Sequence, residues 1–240
     1  MKISDKLQDV YEGYYEDNNN LDKKRAIAAR QTIEHLCQMV PEGPQKLLDI
    51  GAGNGSLLAE FDQISYATEL HAIEISPSGL SEIQKRNLKS LCSARQFDGY
   101  LIEEEDQAYE LGVAVHVLEH VEHERAFIEE ITRVCEKVYI EVPLEMTLSL
   151  EKSIRMSRPF GHLNFYNSVT FRNLLETCDL DVLSLSVFSN HLAYEQFVSG
   201  KMIGTIKYFI RTGLLTIAPT IAPSFMTYLC GAVCQKKTKT

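Results

Sequence analysis

The sequence predicts an α/β protein built on a doubly wound sheet of mostly parallel strands, with helices on both faces. Two observations support this fold class. Short apolar runs alternate five times with stretches of helical periodicity between residues 46 and 142. In addition, the turn Gly51-Ala-Gly-Asn-Gly55 joins the first apolar run to the start of a helix. Glycine lets the backbone approach a ligand closely, and a helix start attracts anionic groups, so this turn is the predicted cofactor loop.

The composition is typical of a single globular domain. The chain has 240 residues, of which 45% are hydrophobic and 24% charged. Its net charge of −9 disfavours binding to nucleic acid, which depends on Lys and Arg to neutralise phosphates. The six cysteines include no C-x-x-C pair, and the N-terminus lacks the apolar core of a signal peptide. We therefore expect a reducing compartment and a cytoplasmic protein.

The first 45 residues are expected to form a lid or cap ahead of a main domain at 46–240. Helical spacing of apolar residues predicts a helix over 21–40, ended by Pro41. The residues before it are polar but rich in aromatic side chains that are costly to leave in water. Three tyrosines there are candidates for a flap over a bound ligand: Tyr11, Tyr14 and Tyr15.

The later elements follow from apolar runs and the turn residues that flank them. Ser76-Pro77 starts a helix, with serine as the N-cap and proline at the first helical position. Pro143 is expected to end the fifth strand, and residues 144–166 show no clear period. Further helices are expected at 169–178 and within 201–222. The predicted strands lie at 46–50, 69–75, 93–97, 110–115, 137–142 and 180–188, with a seventh beginning near 225.

An uncharged run over 212–235 raises the question of a membrane-spanning segment. Pro219 and Pro223 interrupt this run, so we expect a helix end and a buried strand rather than a transmembrane helix. Peripheral membrane contact stays open. Nearby cationic residues would aid it: Lys207, Arg211, Lys236, Lys237 and Lys239.

The glycine spacing distinguishes between nucleotide-type cofactors. Dinucleotide-binding proteins use G-x-G-x-x-G or A, whereas here the spacing is G-x-G-x-G and Ser56 follows. The longer string Leu48-Asp-Ile-Gly-Ala-Gly-Asn-Gly-Ser56 resembles class I S-adenosylmethionine-dependent methyltransferases of the small-molecule type. Further segments extend the resemblance through the chain: Ile73-Glu-Ile-Ser76, Phe97-Asp98, Val115-His-Val-Leu-Glu-His-Val121 and Gly161-His-Leu-Asn-Phe-Tyr166.

The resemblance implies a Rossmann-like sheet whose last strand runs antiparallel between the fifth and sixth. It also implies S-adenosylmethionine as the cofactor, with S-adenosylhomocysteine as the product. Glu74 would accept the ribose hydroxyls, Asp98 the adenine amine, and Asp49 would face the ammonium group. The full set of implied cofactor residues is Asp49, Gly51, Gly53, Gly55, Glu74, Ile75, Asp98, Gly99 and His116.

The expected reaction is O- or N-methylation of a small molecule, which needs a base only where the acceptor carries a proton. His120 and His162 are the candidates for that base, and 144–166 is expected to cover the acceptor. Asn164 and Tyr166 are candidates for contacts with the acceptor. A nicotinamide-dependent oxidoreductase and a catalytically silent cofactor-binding module are the alternatives.

A metal-dependent function is a further alternative for the segment after the fourth strand. His116-Val-Leu-Glu-His120 matches H-x-x-E-H, an inverted zinc-protease motif, but His116 is expected to end a strand rather than lie on a helix. Some related quinone O-methyltransferases hold a divalent ion near this motif, where Glu119 and His120 could be ligands. The carboxylate that those enzymes have in place of His116 is missing, so no metal is expected.

Overall fold

A computed structural model of the chain describes residues 19–237, and the predicted flap tyrosines Tyr11, Tyr14 and Tyr15 lie outside this range. Within it, seven strands form one sheet in the order β3-β2-β1-β4-β5-β7-β6. The first five strands pair in parallel, and β7 is antiparallel to both β5 and β6. The predicted sheet and the antiparallel position of its last strand are therefore confirmed. The strands are β1 (Lys46–Ile50), β2 (Glu69–Glu74), β3 (Leu91–Gln96), β4 (Tyr109–Val115), β5 (Cys135–Leu144), β6 (Leu180–Phe188) and β7 (Tyr228–Lys236).

Helices occupy most of the connections between these strands. Among the described residues, none of them is long and apolar enough to cross a membrane. Short 3-10 turns lie at Leu118–His120, in the segment after β4, and at Arg158–Phe160, in the segment after β5. The α-helices are α1 (Asn19–Met39), α2 (Ser56–Ile64), α3 (Pro77–Lys85), α4 (Glu124–Val134), α5 (Leu150–Ser157), α6 (Ser168–Glu176), α7 (Leu192–Ser199), α8 (Lys201–Ile217) and α9 (Ala222–Phe225).

Side chains alternate between the two faces of the sheet, and each face has its own apolar core. In β1, Leu48 and Ile50 pack on the face covered by α4 and α6. Leu47 points to the other face, where it meets α1, α2 and α3. The alternation follows from the two-residue period of a strand, and it confirms helices on both faces. Helix α1 buries Leu36 in this second core, while a lid function for residues 1–45 stays a prediction.

Pro143 does not end the fifth strand, as the sequence had suggested. Strand β5 runs on to Leu144, and Pro143 pairs with Leu229 of β7. The pairing with β4 has already stopped at Glu141. Beyond that point β5 has a neighbour on one side only, and such edge positions tolerate proline.

The segment after β5 is more regular than expected, because α5 and a 3-10 turn lie inside residues 144–166. The prediction of an irregular stretch there was wrong. Three exposed cations alternate with exposed apolar residues along α5 and the turn, which gives no simple core-facing period. Helix α7 had no counterpart in the prediction, and the helix predicted within 201–222 ends at Ile217.

Candidate functional site

The glycine turn after β1 has the backbone that its sequence predicts. Gly51, Gly53 and Gly55 all have positive φ, at 73°, 56° and 73°. At Gly51 a side chain is excluded twice, because φ is left-handed and an added Cβ would lie 2.7 Å from Val117 Cγ2. The Gly51 N–H donates to the main-chain oxygen of Ile73 on β2. The turn is thus fastened to the neighbouring strand and lies against the segment after β4.

Glu74, the last residue of β2, holds this turn from the side. Its Oε2 accepts the Gly53 N–H at 2.7 Å, and its Oε1 accepts the Ser76 N–H at 2.9 Å. Burial raises the pKa of Glu74, although these backbone hydrogen bonds act in the opposite direction. Each carboxylate oxygen can accept more than one hydrogen bond. Glu74 therefore shapes the loop and keeps acceptor capacity for hydroxyl groups.

Asp49 on β1 is the least satisfied acid near the loop. It is 3% exposed, and its Oδ2 has no hydrogen-bond partner among the described residues. Burial and the charge of Glu74 raise the pKa of Asp49 to about 8. A buried carboxylate without a partner is costly, and a cationic group would relieve this cost. The ammonium group of an amino-acid ligand has the required charge.

The residues predicted to contact the adenine and the ribose edge lie after β2 and β3. Asp98 Oδ1 accepts the N–H groups of Tyr100 and Leu101, so this side chain caps a turn. Gly99 has a φ of 93°, which that turn requires. Ile75 follows Glu74, and its main-chain oxygen accepts from Gln96. The turn role of Asp98 is observed, and its contact with adenine stays a prediction.

His116 follows β4 and has a left-handed φ of 54°, which is uncommon for a residue other than glycine. Its Nδ1 hydrogen-bonds to Glu119 at 3.1 Å, and its Nε2 lies 3.9 Å from Glu141. Burial acts to lower the pKa of His116, but the hydrogen bond to Glu119 and the nearby carboxylate charges outweigh it and raise the pKa. The pKa of Glu119 is lowered, because the bond and charge of His116 exceed the effect of burial. The two side chains form an ion pair beside the cofactor loop.

Glu141 is a buried acid of the site that the sequence interpretation missed. It is completely buried in β5, where it accepts hydrogen bonds from Thr32 at 3.1 Å and Tyr139 at 2.6 Å. His35 Nδ1 lies 3.1 Å from Glu141 Oε2, the oxygen that also accepts from Tyr139. Burial acts to raise the pKa of Glu141, but these bonds and the charge of His116 lower it. A charged residue inside the apolar strand run 137–142 was the signal that could have found it.

His162 and His120, the two candidate bases, are brought together by the segment after β5. Their ring centroids are 4.7 Å apart in an edge-on arrangement. His162 Nδ1 lies 2.7 Å from Glu145 Oε2, and Ser157 donates to the other oxygen of Glu145 at 2.5 Å. Burial lowers the pKa of His120. The charge of Glu119 acts in the opposite direction, and the charge of His162 adds a smaller lowering effect. An imidazole oriented by a carboxylate is the usual arrangement of a general base.

In this structure the side chains of Asn164 and Tyr166 form hydrogen bonds with other groups of the protein. Asn164 Nδ2 donates to the main-chain oxygens of Leu118 and Val121. Tyr166 is buried in the core, where its hydroxyl contacts Glu124 and the Leu118 oxygen. Both side chains fasten the segment after β5 to the turn after β4. Their proposed contact with the acceptor stays a prediction.

One group in the site has the composition of a metal centre. A carboxylate oxygen of Glu119 and one nitrogen each of His120 and His162 lie within 4.8 Å of one another. Glu119 is buried, and its Oε2 has no hydrogen-bond partner among the described residues. Two imidazoles and a carboxylate suit a divalent transition metal. The absence of a metal, expected from the sequence, stays a prediction.

Comparison with known proteins gives one family and many structural neighbours. A family model described as a methyltransferase domain matches residues 21–185. No curated protein sequence matches the chain significantly. The family match covers the cofactor loop, Glu74, the segment after β4 and His162. It ends within β6, so α7, α8 and β7 lie beyond it.

Solved structures share the fold at low sequence identity. A chain in the complex of the Haloferax volcanii Trm112 methyltransferase activator with a methyltransferase is 13% identical, with a TM-score of 0.67, and the match covers 97% of this chain and 99% of that one. Coclaurine N-methyltransferase, bound to N-methylheliamine and S-adenosylhomocysteine, is 14% identical, with a TM-score of 0.63 and coverage of 98% and 79%. The cyclase SpnF is 15% identical, with a TM-score of 0.63 and coverage of 88% and 82%. At such identities these neighbours establish the fold alone.

Proposed function

This chain belongs to the methyltransferase-domain family, the S-adenosylmethionine-dependent class that its sequence resembles, and we propose that it methylates a small-molecule acceptor on oxygen or nitrogen. The observation that carries the proposal is the buried, unpartnered Oδ2 of Asp49 beneath the glycine loop. S-adenosylmethionine carries an ammonium group that would complete this carboxylate. Neighbouring structures with bound S-adenosylmethionine or S-adenosylhomocysteine support the same cofactor.

The residues that would hold the cofactor lie at the carboxyl ends of β1, β2, β3 and β4, where doubly wound sheets bind their ligands. Asp49 would face the ammonium group, and Glu74 would accept from the ribose hydroxyls with its remaining lone pairs. Asp98 and Gly99 would border the adenine. When bound, the cofactor supplies a methyl group on a sulfonium sulfur, and the thioether that departs from this methyl group is a good leaving group.

The protein would contribute position and a base. Methyl transfer is an in-line displacement that gains most from holding the acceptor in place and excluding water. We assign His162 as the base that takes a proton from a hydroxyl or ammonium acceptor. Glu145 orients its imidazole through Nδ1, which leaves Nε2 to act on the acceptor. His120 packs against the His162 ring, and its lowered pKa keeps it neutral near pH 7.

Calorimetry with three ligands tests the cofactor assignment. We expect S-adenosylmethionine and S-adenosylhomocysteine to bind and NADH not to bind. Glu74→Ala should weaken binding at least tenfold, because one carboxylate both shapes the loop and meets the ribose. Glu136→Gln, a change at the exposed start of β5, is the control and should leave the affinity unchanged. Binding of NADH alone would support an oxidoreductase, and no binding of any ligand would support a silent module.

A second experiment separates methyl transfer from other chemistry on this fold, since SpnF is a cyclase. Formation of S-adenosylhomocysteine from S-adenosylmethionine would be measured over a panel of phenols, sugars and amines. A crystal structure with S-adenosylhomocysteine and the best acceptor should place the acceptor beside His162. Cofactor binding without turnover on any member of the panel would argue against a methyltransferase for these acceptor classes.

A further inference from the structure

Helix α8 carries an apolar face that no other described element covers. Met202 is 75% exposed and Phe209 is 66% exposed, values that are unusual for such large side chains. On the opposite side of the helix, Gly204 packs against α7, and Leu214 packs against the main core. The exposed face repeats at intervals of one, three, four and seven residues, as one helical stripe does. Its members, called here the α8 face, are Met202, Ile203, Ile206, Phe209, Ile210 and Ile217.

The apolar surface continues from α8 to the segment that follows β5. The Leu148 N–H donates to the Ser224 oxygen at 2.7 Å, which joins the start of that segment to α9. Leu148 is 75% exposed, and two further apolar side chains are exposed near it: Ile221, which precedes α9, and Phe225 at the end of α9. Helix α5 and its 3-10 turn then add further exposed apolar side chains: Ile154, Met156 and Phe160.

The exposed charge on this surface is opposite in sign to that of the whole protein. The chain has a net charge of −9. Yet residues 148–160 and 197–226 together expose a single carboxylate, Glu151, and five cations. Arg211 is not among them, because it is turned inward against Glu195 and the ring of Tyr228. The five exposed cations are Lys152, Arg155, Arg158, Lys201 and Lys207.

We propose that the α8 face and the apolar residues of α5 dock on the surface of a membrane that contains anionic lipids. An amphipathic helix with a large apolar face and flanking cations lies in the interface plane, where both parts are satisfied. A second copy of this chain is a poorer occupant. In a two-fold dimer the surface would meet itself, which would bring the cations of one copy against those of the other.

Docking in this orientation has a consequence for the site, although the docking itself is independent of the proposed reaction. Leu163 is exposed at the end of the same segment and follows His162 directly. The residues that border the candidate base would then face the lipid surface. Lys236 and Lys237 lie elsewhere, because Lys236 pairs with Leu180 at the far end of β7 from Tyr228.

Vesicle sedimentation without any cofactor tests the proposal. We expect the full chain to bind vesicles of phosphatidylcholine with phosphatidylglycerol more tightly than vesicles of phosphatidylcholine alone, and the difference to shrink as salt is raised. Ile206→Asp combined with Phe209→Asp should weaken binding at least tenfold. Arg155→Ala should weaken it about fivefold, the typical effect of one cation near a lipid surface.

Ile64→Asp is the matched control, because Ile64 is also an exposed isoleucine on a helix but lies at the end of α2. This variant should bind vesicles as the unmodified chain does. Met202→Asp gives a second test of the α8 face, and thermal unfolding checks that each variant folds. Equal binding by all variants, or no binding to anionic vesicles, would overturn the proposal. A dimer that the double variant dissociates, together with no vesicle binding, would identify the face as a contact between copies.

Discussion

Asp49 is the single residue whose protonation should respond most to cofactor binding. Its pKa of about 8 means that it holds a proton near pH 7 in the free protein. An ammonium group beside it would favour the ionised form and lower that pKa. We therefore predict that S-adenosylhomocysteine binding at pH 7 releases close to one proton. Calorimetry in buffers of different ionisation enthalpy measures this release, and Asp49→Asn should abolish it.

The same substitution should stabilise the protein without ligand. The folded-state pKa of Asp49 lies above its unfolded value, so stability falls as pH rises from about 4 to about 8. Asn cannot ionise, and we expect Asp49→Asn to gain more than about 1 kcal/mol at pH 8 and little at pH 4. Urea unfolding at the two pH values checks the sign. A variant that is less stable at pH 8 would show that Asp49 has a structural partner rather than an open site.

Substitution of His162 or of Glu145 should lower kcat, and the loss should be larger for His162. If His162 removes the acceptor proton, His162→Asn should reduce kcat about 10²–10⁴-fold. Glu145→Gln keeps the shape of the side chain but loses the orienting charge, and we expect kcat to fall at least about tenfold. Both variants should bind S-adenosylhomocysteine as the unmodified chain does, since neither residue belongs to the cofactor loop. A parallel loss of cofactor affinity would indicate a structural role for the pair.

At the scale of elements, helix α1 is attached to the sheet at two separate places. Asn54 of the glycine loop donates to Asp22 near the start of the helix at 3.1 Å. Nearer its end, Thr32 and His35 contact Glu141 of β5. Since the His116 N–H also donates to the Glu141 main-chain oxygen, α1, β5 and the segment after β4 meet at one residue. Displacement of α1 would therefore disturb both sides of the site.

This attachment predicts a stability effect with a defined pH dependence. His35→Ala leaves Glu141 buried with one partner fewer, which should cost about 1–3 kcal/mol in urea unfolding. The folded-state pKa of Glu141 is lowered, so the stabilisation exists above its unfolded pKa and is lost as pH falls below that value. Glu34→Gln, an exposed change on the same helix, should alter stability by less than about 0.5 kcal/mol. An equal effect of both changes would contradict the attachment.

The sequence predicted those parts of the fold and site that depend on neighbouring residues. The strand, glycine turn and helix around Gly51 are local, and Ser76 caps its helix as its spacing suggested, with Gly79 donating to its side chain. Glu141 and His35 could not be paired, because they are far apart in the chain and meet only through the packing of α1 on β5. The same applies to Glu145 and His162, which α5 brings together.

At the scale of the whole molecule, charge and apolar surface are unevenly distributed. Although the whole chain is acidic, the two segments around α5 and α8 expose five cations, a single carboxylate and many of the large exposed apolar side chains. The sequence showed the uncharged run and left peripheral membrane contact open, with Lys207, Arg211, Lys236, Lys237 and Lys239 as the cations that would aid it. Packing turns Arg211 inward and places Lys236 and Lys237 at the other end of β7. Only the tertiary structure separates the cations that share a surface with the apolar face.

A final prediction concerns the cooperativity of the domain. The proposed cofactor residues come from the ends of β1, β2, β3 and β4, so bound ligand should stabilise the sheet as one unit. S-adenosylhomocysteine at one hundred times its Kd should add about 2.7 kcal/mol and raise Tm by roughly 5–10 °C. Glu74→Gln, with affinity about tenfold weaker, should reduce that shift by about half at the same concentration.

Thermal unfolding followed by circular dichroism measures these shifts, with Glu136→Gln as the control that should keep the full increase. NADH at the same concentration should leave Tm unchanged, since the glycine spacing and Ser56 differ from the dinucleotide pattern. A shift with NADH but none with S-adenosylhomocysteine would overturn the cofactor assignment. A full Tm shift in Glu74→Gln would keep the cofactor assignment but contradict the role of Glu74 in binding. Other residues would then have to shape the loop and contact the ribose.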